Sequence, residues 1–314
     1  MSSFLKRVAL RPILGVCLFL LTCLQGHALA DTHLVSHAMG ETEVPETPQR
    51  IVTLYQGATD SAVALGIKPV GVVESWAQKP IYDYLRDDLN GVEVVGLETQ
   101  PNLEVIARLQ PDLIIAAKVR HEKIYRQLTQ IAPTVMADTV YDFERSLALV
   151  AEATGYQAEG EKLWQAWQKR TADFRQQLSV QQSKWPLTAS ILNARADHMR
   201  IYLQESFPGA VLDDIGFASP MPEQTGWGVK LKTKEALPSV NADVFFVLFD
   251  QEDGAVQQNY DNWRQHPLWQ VLNAPRNDQV YQVNFVNWIL SGGILGANLM
   301  LDELSELYHL APAS

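Results

Sequence analysis

The chain has 314 residues, of which 47% are hydrophobic and 19% are charged, and its formal net charge at pH 7 is −11. This length and hydrophobic content are sufficient for one large or two ordinary globular domains with a buried core. The composition excludes a disordered or collagen-like chain. The isoelectric point near 5.1 argues against nucleic acid as a partner, because phosphate backbones are bound by basic surfaces.

Residues 1–30 have the features of a cleavable secretory signal peptide. Three basic residues precede an almost unbroken apolar run over residues 13–24, and the small residues Ala28 and Ala30 follow at the spacing that signal peptidase requires. We therefore expect cleavage after Ala30 and a mature chain in the periplasm. Because the removed segment carries no acidic residue, the net charge changes from −11 to −14.

Both cysteines of the chain, Cys17 and Cys23, lie within this segment. The mature protein would then have no disulfide, no thiolate metal ligand and no cysteine nucleophile. Cys23 leaves a lipoprotein cleavage site as the alternative, but Thr22 is a poor fit at the position before such a cysteine. Removal after Ala30 is the prediction that we favour.

Short apolar strands and helices alternate through the first half of the mature chain. Strands are predicted at residues 50–54, 69–73, 93–96, 112–117 and 134–136, and helices after Gly57 as far as Ala64 and at residues 103–109 and 124–131. Strand–helix–strand spacing of this kind indicates a mostly parallel sheet with helices on both faces.

A long helical stretch separates this half from a second α/β pattern. Residues 143–181 are interrupted only at Gly155-Tyr156, and after them we predict strands at residues 188–192, 200–203, 244–248 and 280–283 and helices at residues 210–215 and 290–308. We divide the mature chain into an N-terminal lobe (31–142), a helical region with the bridging helix (143–181) and a C-terminal lobe (182–314).

The two predicted lobes share a repeated unit. In residues 103–115 and again in residues 234–246, a glutamate opens a helix and an aspartate follows eight residues later, just before an apolar strand. The repeat on either side of one long helix predicts the fold class: two doubly wound α/β lobes joined by a single long α-helix. A ligand cleft is expected between the lobes.

Sequence motifs of the common enzyme classes are absent. The sequence has no Gly-x-Ser-x-Gly, Walker, His-Glu-x-x-His or paired-cysteine motif, and its seven histidines show no metal-ligand spacing. We therefore expect a binding protein without catalytic residues, without a metal site of its own and without a cofactor.

Two arginines are the leading candidates for ligand contact. Arg120 and His121 follow the strand at 112–117, and the ligand crevice of an open α/β sheet lies outside the carboxyl ends of its strands. Arg195 stands in the polar loop after the strand at 188–192, where its planar guanidinium could bind carboxylate oxygens. The alternative for Arg195 is a surface ion pair with Asp197, which would contribute little.

Aromatic residues occupy similar positions. Tyr55 follows the first strand, Trp76 follows the second, and Trp227 lies in a loop. Each of them could equally pack into the core, because large aromatic side chains are usually well buried. Aromatic rings and arginines together would suit a bulky ligand that is partly anionic and partly apolar.

Two glutamates, Glu104 and Glu235, hold matching places in the repeated unit. They could simply be first-turn acids that the helix dipole favours. They could also dock onto basic pockets of a two-fold partner, because each predicted lobe presents one of them.

The order and spacing of these motifs resemble the substrate-binding proteins of iron-siderophore ABC importers, over nearly all of residues 47–309. The motifs that carry the resemblance are Thr47-Pro48-Gln49-Arg50-Ile51-Val52, Asn102-Leu103-Glu104 through Pro111-Asp112-Leu113-Ile114, Gln130-Ile131-Ala132-Pro133, Asn193-Ala194-Arg195-Ala196-Asp197-His198, Lys234-Glu235 through Ala242-Asp243, His266-Pro267-Leu268-Trp269 and Gly292-Gly293.

The resemblance implies a monomer that captures a ferric siderophore between its lobes and delivers it to an inner-membrane ABC permease. The family's docking glutamates correspond to Glu104 and Glu235, and its lobe-facing arginines correspond to Arg120 and Arg195. Residues 195–202, with Arg200 and Tyr202, are most similar to members that handle citrate-hydroxamate or other carboxylate-type chelates. Strand alternation leaves open whether Arg200 faces the cleft.

Other ligands and another class of protein remain as alternatives. A haem, cobalamin or bare ferric-citrate binder is the alternative within transport, and for haem or bare iron Tyr55, Tyr202 or His198 would supply a protein ligand. An exported enzyme that processes the chelate is the alternative outside transport, although no nucleophile with a base partner is visible.

Overall fold

The strands predicted in the first half of the mature chain form a six-stranded sheet in the computed structural model, which describes residues 31–250 and 253–311. The predicted signal peptide and Cys23 lie outside these residues. The sheet has the order β6-β5-β4-β3-β7-β8, and all neighbouring strands are parallel except β5 and β6. Its strands are β3 (Ile51–Thr53), β4 (Gly71–Glu74), β5 (Glu93–Leu97), β6 (Gln100–Pro101), β7 (Leu113–Ala117) and β8 (Thr134–Ala137), preceded by the hairpin β1 (Thr32–His37) and β2 (Gly40–Pro45).

The second half builds a five-stranded sheet of mixed direction. Its order is β11-β10-β9-β12-β13, in which β9, β12 and β13 are parallel and β10 is antiparallel to both of its neighbours. The strands are β9 (Ala189–Ala194), β10 (Met199–Tyr202), β11 (Gly228–Leu231), β12 (Val244–Leu248) and β13 (Val280–Gln282).

Helices connect and cover both sheets. They are α1 (Gln56–Ala64), α2 (Leu103–Arg108), α3 (Lys118–His121), α4 (Tyr125–Thr129), α5 (Phe143–Thr154), α6 (Gln157–Gln181), α7 (Phe207–Asp214), α8 (Gly254–Arg264), α9 (Pro267–Gln270), α10 (Asn273–Arg276) and α11 (Ile294–Leu307). Three 3-10 turns (Asp83–Leu85, Glu122–Ile124 and Lys234–Val240) and a π-helix (Val286–Leu290) complete the described elements. No helix in the described part of the chain is long and apolar enough to cross a membrane.

The break in the long helical stretch lies where it was predicted. Gly155 ends α5 with a left-handed φ of 77°, and its N–H donates to carbonyls of the last turn. A side chain at this position would also collide with the backbone, since a Cβ would lie 2.5 Å from the Glu46 carbonyl oxygen. Only glycine satisfies both conditions. After it α6 runs for 25 residues and buries Trp167, Phe174 and Leu178.

The repeated aspartates have the same role in both sheets. Asp112 accepts the backbone N–H groups of Gln49 and Arg50 just before β3, and Asp243 accepts that of Thr188 just before β9. Each carboxylate thereby fixes the start of the strand next to its own. The predicted repeat is therefore real at this point, although its second copy has a 3-10 turn in place of a helix because Pro238 lies inside it.

One core connects the two sheets. A continuous cluster of buried side chains includes residues of α1, α5, α6 and α11 and also one face of β9 and β12. The chain from Thr32 onward accordingly forms a single compact unit, and the lobe boundaries stay a prediction. The last helix begins at Ile294 and not at residue 290, because the π-helix and Gly292, with a φ of 70°, precede it.

A buried carboxylate joins the last helix to the first. Asp60 on α1 is fully buried and accepts the N–H groups of Leu295 and Gly296 in the first turn of α11, at 2.8 and 3.0 Å, and the Tyr84 hydroxyl at 2.8 Å. Gly293 allows this approach, since a Cβ there would lie 2.2 Å from the Asp60 Oδ1 atom. Three donors thus converge on one side chain.

Asp60→Asn is expected to lower the free energy of unfolding by about 2 kcal/mol at acidic pH, because an amide leaves one of the three donors without an acceptor. Burial raises the pKa of Asp60 from 3.8 to about 6, against the opposing effect of its hydrogen bonds. The contribution of Asp60 is therefore complete below about pH 4 and is lost as the pH rises through about 6. Urea unfolding between about pH 4 and pH 7 should show the difference between the two proteins shrinking. A difference that grows over this range would contradict the assignment.

Candidate functional site

The carboxyl ends of strands from both sheets surround a cavity of about 250 Å³. This is the position expected for the crevice of open α/β sheets. Loops after β4, β5, β8 and β9, the end of β10 and the start of α1 all contribute to it. The lining residues are Gln56, Gly57, Trp76, Glu98, Arg120, Val140, Tyr141, Arg195, Tyr202, Ser206, Phe207, Pro208, Trp227, Ile289, Leu290 and Gly292.

Arg120 reaches the cavity from α3 and is held there by a buried acid. Its Nε donates to the Glu98 Oε1 atom at 3.0 Å, and Glu98 is only 4% exposed. The other Glu98 oxygen accepts the backbone N–H of Gln56 at the start of α1, at 3.2 Å. Burial alone would lower the pKa of Arg120, but the bond to Glu98 outweighs it, so Arg120 is charged. Tyr141 is a second hydrogen-bond partner of Arg120. A guanidinium has five N–H donors, so those that Glu98 and Tyr141 do not take are left for a ligand.

Arg195 reaches the cavity from the second sheet, just after β9, and has no carboxylate partner among the described residues. The expected alternative, an ion pair with Asp197, does not form. Asp197 instead bonds to His198 at 2.6 Å and to Lys230 at 3.1 Å, and these bonds lower the pKa of its carboxyl to about 2. The Arg195 guanidinium lies over the Phe285 ring, 5.8 Å from its centroid.

Arg200 packs on an aromatic wall of the cavity, which consists of Trp227, Tyr141 and Tyr202. The Trp227 ring stacks on Tyr141 with centroids 5.7 Å apart and lies 6.0 Å from Tyr202, and the Arg200 guanidinium sits 4.4 Å from the Trp227 centroid. Arg200 pairs with Asn193 in the antiparallel register and therefore shares a face of the sheet with Tyr202. Arg200 thus lies on the same face of β10 as Tyr202, and its cation–π contact stabilises the position of the Trp227 ring.

Three of the predicted ligand residues are not in the lining: Arg200, which stacks on Trp227, and the buried residues Tyr55 and His121. Tyr55 is fully buried in the core and donates to the Ser146 Oγ at 3.2 Å. His121 is also fully buried, with Nε2 2.7 Å from the Glu98 carbonyl oxygen and Nδ1 accepting the Ala117 N–H, and burial lowers its pKa. His121 thereby connects the segments that carry Arg120 and Glu98, whereas Tyr55 connects the start of α1 to α5.

The residues that sequence reasoning missed are mainly Glu98, Tyr141 and the apolar pair Ile289-Leu290. Glu98 could have been found, because it also follows a predicted strand. The apolar pair could not, since it reaches the cavity on a π-helix, an irregular element with no sequence signature. Of the three candidates for direct iron or haem coordination, only Tyr202 lines the cavity.

The cavity has a positive character in an acidic protein. Two arginines line it and a third, Arg200, stacks on Trp227 of the lining, whereas Glu98 is the only acidic residue in the lining and is already paired. Within the described residues, no group of three or more histidine, cysteine or acidic side chains could hold a metal ion. The arrangement can therefore bind a ligand rich in anionic oxygens.

The two candidate docking glutamates are exposed. Glu104 lies in the first turn of α2, which Asn102 caps by accepting two backbone N–H groups. Glu235 lies in the 3-10 turn of the second copy, where the Thr233 side chain lowers the pKa of its carboxyl. Both side chains are accessible to a basic partner.

Comparisons with known proteins place the chain among relatives of one kind. The chain is 50% identical over 267 residues to the Achromobactin-binding periplasmic protein of Dickeya dadantii (strain 3937), covering 84% of this chain and 88% of that one. It is 30% identical over 290 residues to the Fe(3+) dicitrate-binding periplasmic protein FecB of Escherichia coli (strain K12), covering 91% and 93%. The crystal structure of Staphylococcus aureus SirA complexed with staphyloferrin B superimposes with a TM-score of 0.85 at 40% identity, covering 90% of this chain and 100% of that one.

The structural match confirms the predicted fold class, and the relatives confirm the resemblance to siderophore-binding proteins of ABC importers. The family model described as "Periplasmic binding protein" matches residues 51–285, which include both sheets and most of the cavity lining. The chain belongs to the periplasmic binding protein family.

Proposed function

We propose that the chain captures a ferric siderophore of the carboxylate or citrate-hydroxamate type in this cavity and delivers it to an ABC permease of the inner membrane. The observation that carries the proposal is the pair Arg120 and Arg195, which reach one cavity from the strand ends of two different sheets. The names of the relatives support it, since they bind achromobactin, ferric dicitrate and staphyloferrin B.

The chemistry of the cavity fits such a ligand. Guanidinium groups bind carboxylate oxygens through paired, charge-assisted hydrogen bonds. Trp76, Trp227 and the apolar pair Ile289-Leu290 offer surface to the aliphatic parts of the chelate. The iron is cargo and is coordinated by the chelator, so the protein needs to supply charge and shape but no metal ligand.

Binding without catalysis is part of the proposal. Among the lining residues, Ser206 has the hydroxyl that most resembles a catalytic nucleophile. Its Oγ, however, donates to the Leu203 carbonyl and accepts the Gly209 N–H. It therefore caps α7, and no histidine stands beside it in the lining. We further propose a monomeric periplasmic protein released by cleavage after Ala30, in line with the periplasmic relatives.

Tryptophan fluorescence of the mature protein tests the proposal. Trp76 and Trp227 line the cavity, so a bound ferric chelate should quench them, and titration with ferric staphyloferrin B, ferric citrate and a ferric hydroxamate should give saturable quenching by a carboxylate-containing chelate. Trp227→Phe should remove part of the quenching, whereas Trp185→Phe, whose ring packs on Phe217, should not. A response to haem or cobalamin alone would overturn the proposed ligand.

Ferric citrate is the second candidate ligand, because FecB, a relative at 30% identity, is named for ferric dicitrate. The same titration separates the two. Tighter quenching by ferric citrate than by the larger chelate would favour it, and the reverse order would favour the siderophore.

A further inference from the structure

The Tyr202 side chain stands between two cavities. It lines the ligand cavity at the end of β10, and it also lines a second cavity of about 200 Å³ with Ile191, Leu212 and Phe217. Only 9% of the residue is exposed, and the Trp227 ring is tilted against it. With open space at more than one side, packing alone does not fix where the hydroxyl points.

A buried amide fixes it. Asn193 lies on the neighbouring strand β9, opposite Arg200 in the register and thus on the same face as Tyr202. It is completely buried, and its Nδ2 donates to the Tyr202 hydroxyl oxygen at 3.1 Å. The Asn193 Oδ1 has no hydrogen-bond partner, so the bond to Tyr202 is the only one that this side chain makes within the described residues.

The direction of this bond has a chemical consequence. A tyrosine hydroxyl has one proton to donate and lone pairs to accept. Asn193 donates to it, so a lone pair is used, while the hydroxyl proton has no acceptor among the described residues. A polar hydrogen left free at a cavity wall favours a ligand oxygen as its acceptor.

We propose that Asn193 is a positioning residue that makes Tyr202 a hydrogen-bond donor to an anionic oxygen of the ligand. The inference rests on the proposed function and adds a determinant of ligand class to it. Tyr202 and Arg195 then form a two-residue donor set on one sheet, which selects a deprotonated carboxylate or hydroxamate oxygen over a hydroxyl that has its own proton to donate.

Asn193→Asp tests the direction of the bond at nearly constant shape. A carboxylate can only accept, so the Tyr202 O–H would turn towards residue 193 and present its oxygen lone pairs to the ligand. Asn193→Leu removes the bond without adding a charge. We expect the Kd to rise about tenfold for Asn193→Leu, as for the loss of one hydrogen bond, and by more for Asn193→Asp.

A double-mutant cycle on the mature protein, with ferric staphyloferrin B and ferric citrate as probes, tests whether Asn193 acts through the hydroxyl. Tyr202→Phe and Asn193→Leu should each weaken binding, and the Kd of the double variant should not exceed that of the weaker-binding single variant. Ser190→Ala is the matched control: its buried Oγ donates to the Val240 carbonyl from the other face of β9, so it should lower Tm without changing the Kd.

The outcomes separate the inference from the function on which it rests. Losses that multiply in the double variant, or an Asn193→Leu protein that binds like the wild type, would overturn the role of Asn193 and leave the proposed function standing. If Asn193→Leu does not fold, Asn193→Asp paired with Tyr202→Phe replaces it in the same cycle. A wild-type protein that binds neither probe would overturn the proposed function and the inference together.

Discussion

Arg195→Ala is expected to raise the Kd for a ferric carboxylate chelate by about 10- to 100-fold, as for the loss of charge-assisted hydrogen bonds worth about 1.5–3 kcal/mol. The melting temperature should stay within a few degrees of the wild type, because Arg195 is exposed and forms no ion pair in the described residues. Calorimetric or fluorescence titration at low and high salt measures the effect, which should shrink as salt screens the charge.

Arg264→Ala is the matched control for this prediction. Arg264 is also an arginine of the second half of the chain, but its guanidinium lies 5.5 Å from the Tyr260 ring centroid and outside the cavity lining. It should bind like the wild type. Arg120→Ala is a less clean probe, since it would leave the buried Glu98 carboxylate unpaired and lower the free energy of unfolding as well. Unchanged affinity of Arg195→Ala would refute the role of this residue.

Replacing both Glu104 and Glu235 with alanine is expected to abolish uptake of the ferric chelate by cells while leaving its Kd unchanged. Both carboxylates are exposed, one on each repeated unit, and neither lines the cavity. Removing them should cost the contacts with a basic partner surface and leave the ligand site intact. Uptake of radiolabelled iron, in cells whose own copy of the gene is deleted, measures the effect together with the Kd of the purified variant.

Two other exposed acids provide the comparison. Glu159 and Glu161 lie near the start of α6, with the same charge and exposure but at unrepeated positions. The double alanine variant at these sites should transport normally. Normal uptake by the Glu104/Glu235 variant would rule out docking through these residues, and weakened ligand binding would show that they act on the cavity instead.

The positions of the arginines could be predicted from sequence because they depend on a local rule. Parallel strands end at the same edge of a sheet, so an arginine or aromatic residue that follows an apolar strand is near the crevice whatever the order of the strands. Arg120, Arg195 and Trp76 all follow this rule and line the cavity. Which way a side chain points beyond the strand end is a different question, and the rule does not answer it.

Tyr55 shows where that reasoning stops. It follows β3, which lies inside the sheet between β4 and β7. Its hydroxyl donates to Ser146 on α5, 91 residues away along the chain. The ion pair of Glu98 with Arg120 could not be predicted for the related reason that Arg120 lies on α3, after another strand of the sheet and 22 residues later. Contacts of this range depend on the order of the strands, which hydrophobic periodicity does not encode.

The docking of α11 on α1 bears on how the chain completes its fold. The first sheet and α1 are synthesised first, but two of the three donors that Asp60 accepts are the N–H groups of Leu295 and Gly296, 235 and 236 residues later. During synthesis from the N terminus, Asp60 and the apolar surface of α1 therefore stay exposed to solvent until the last helix, α11, has been made. The N-terminal half depends on the end of the chain, and a truncation before residue 294 would unfold more than the helix that it removes.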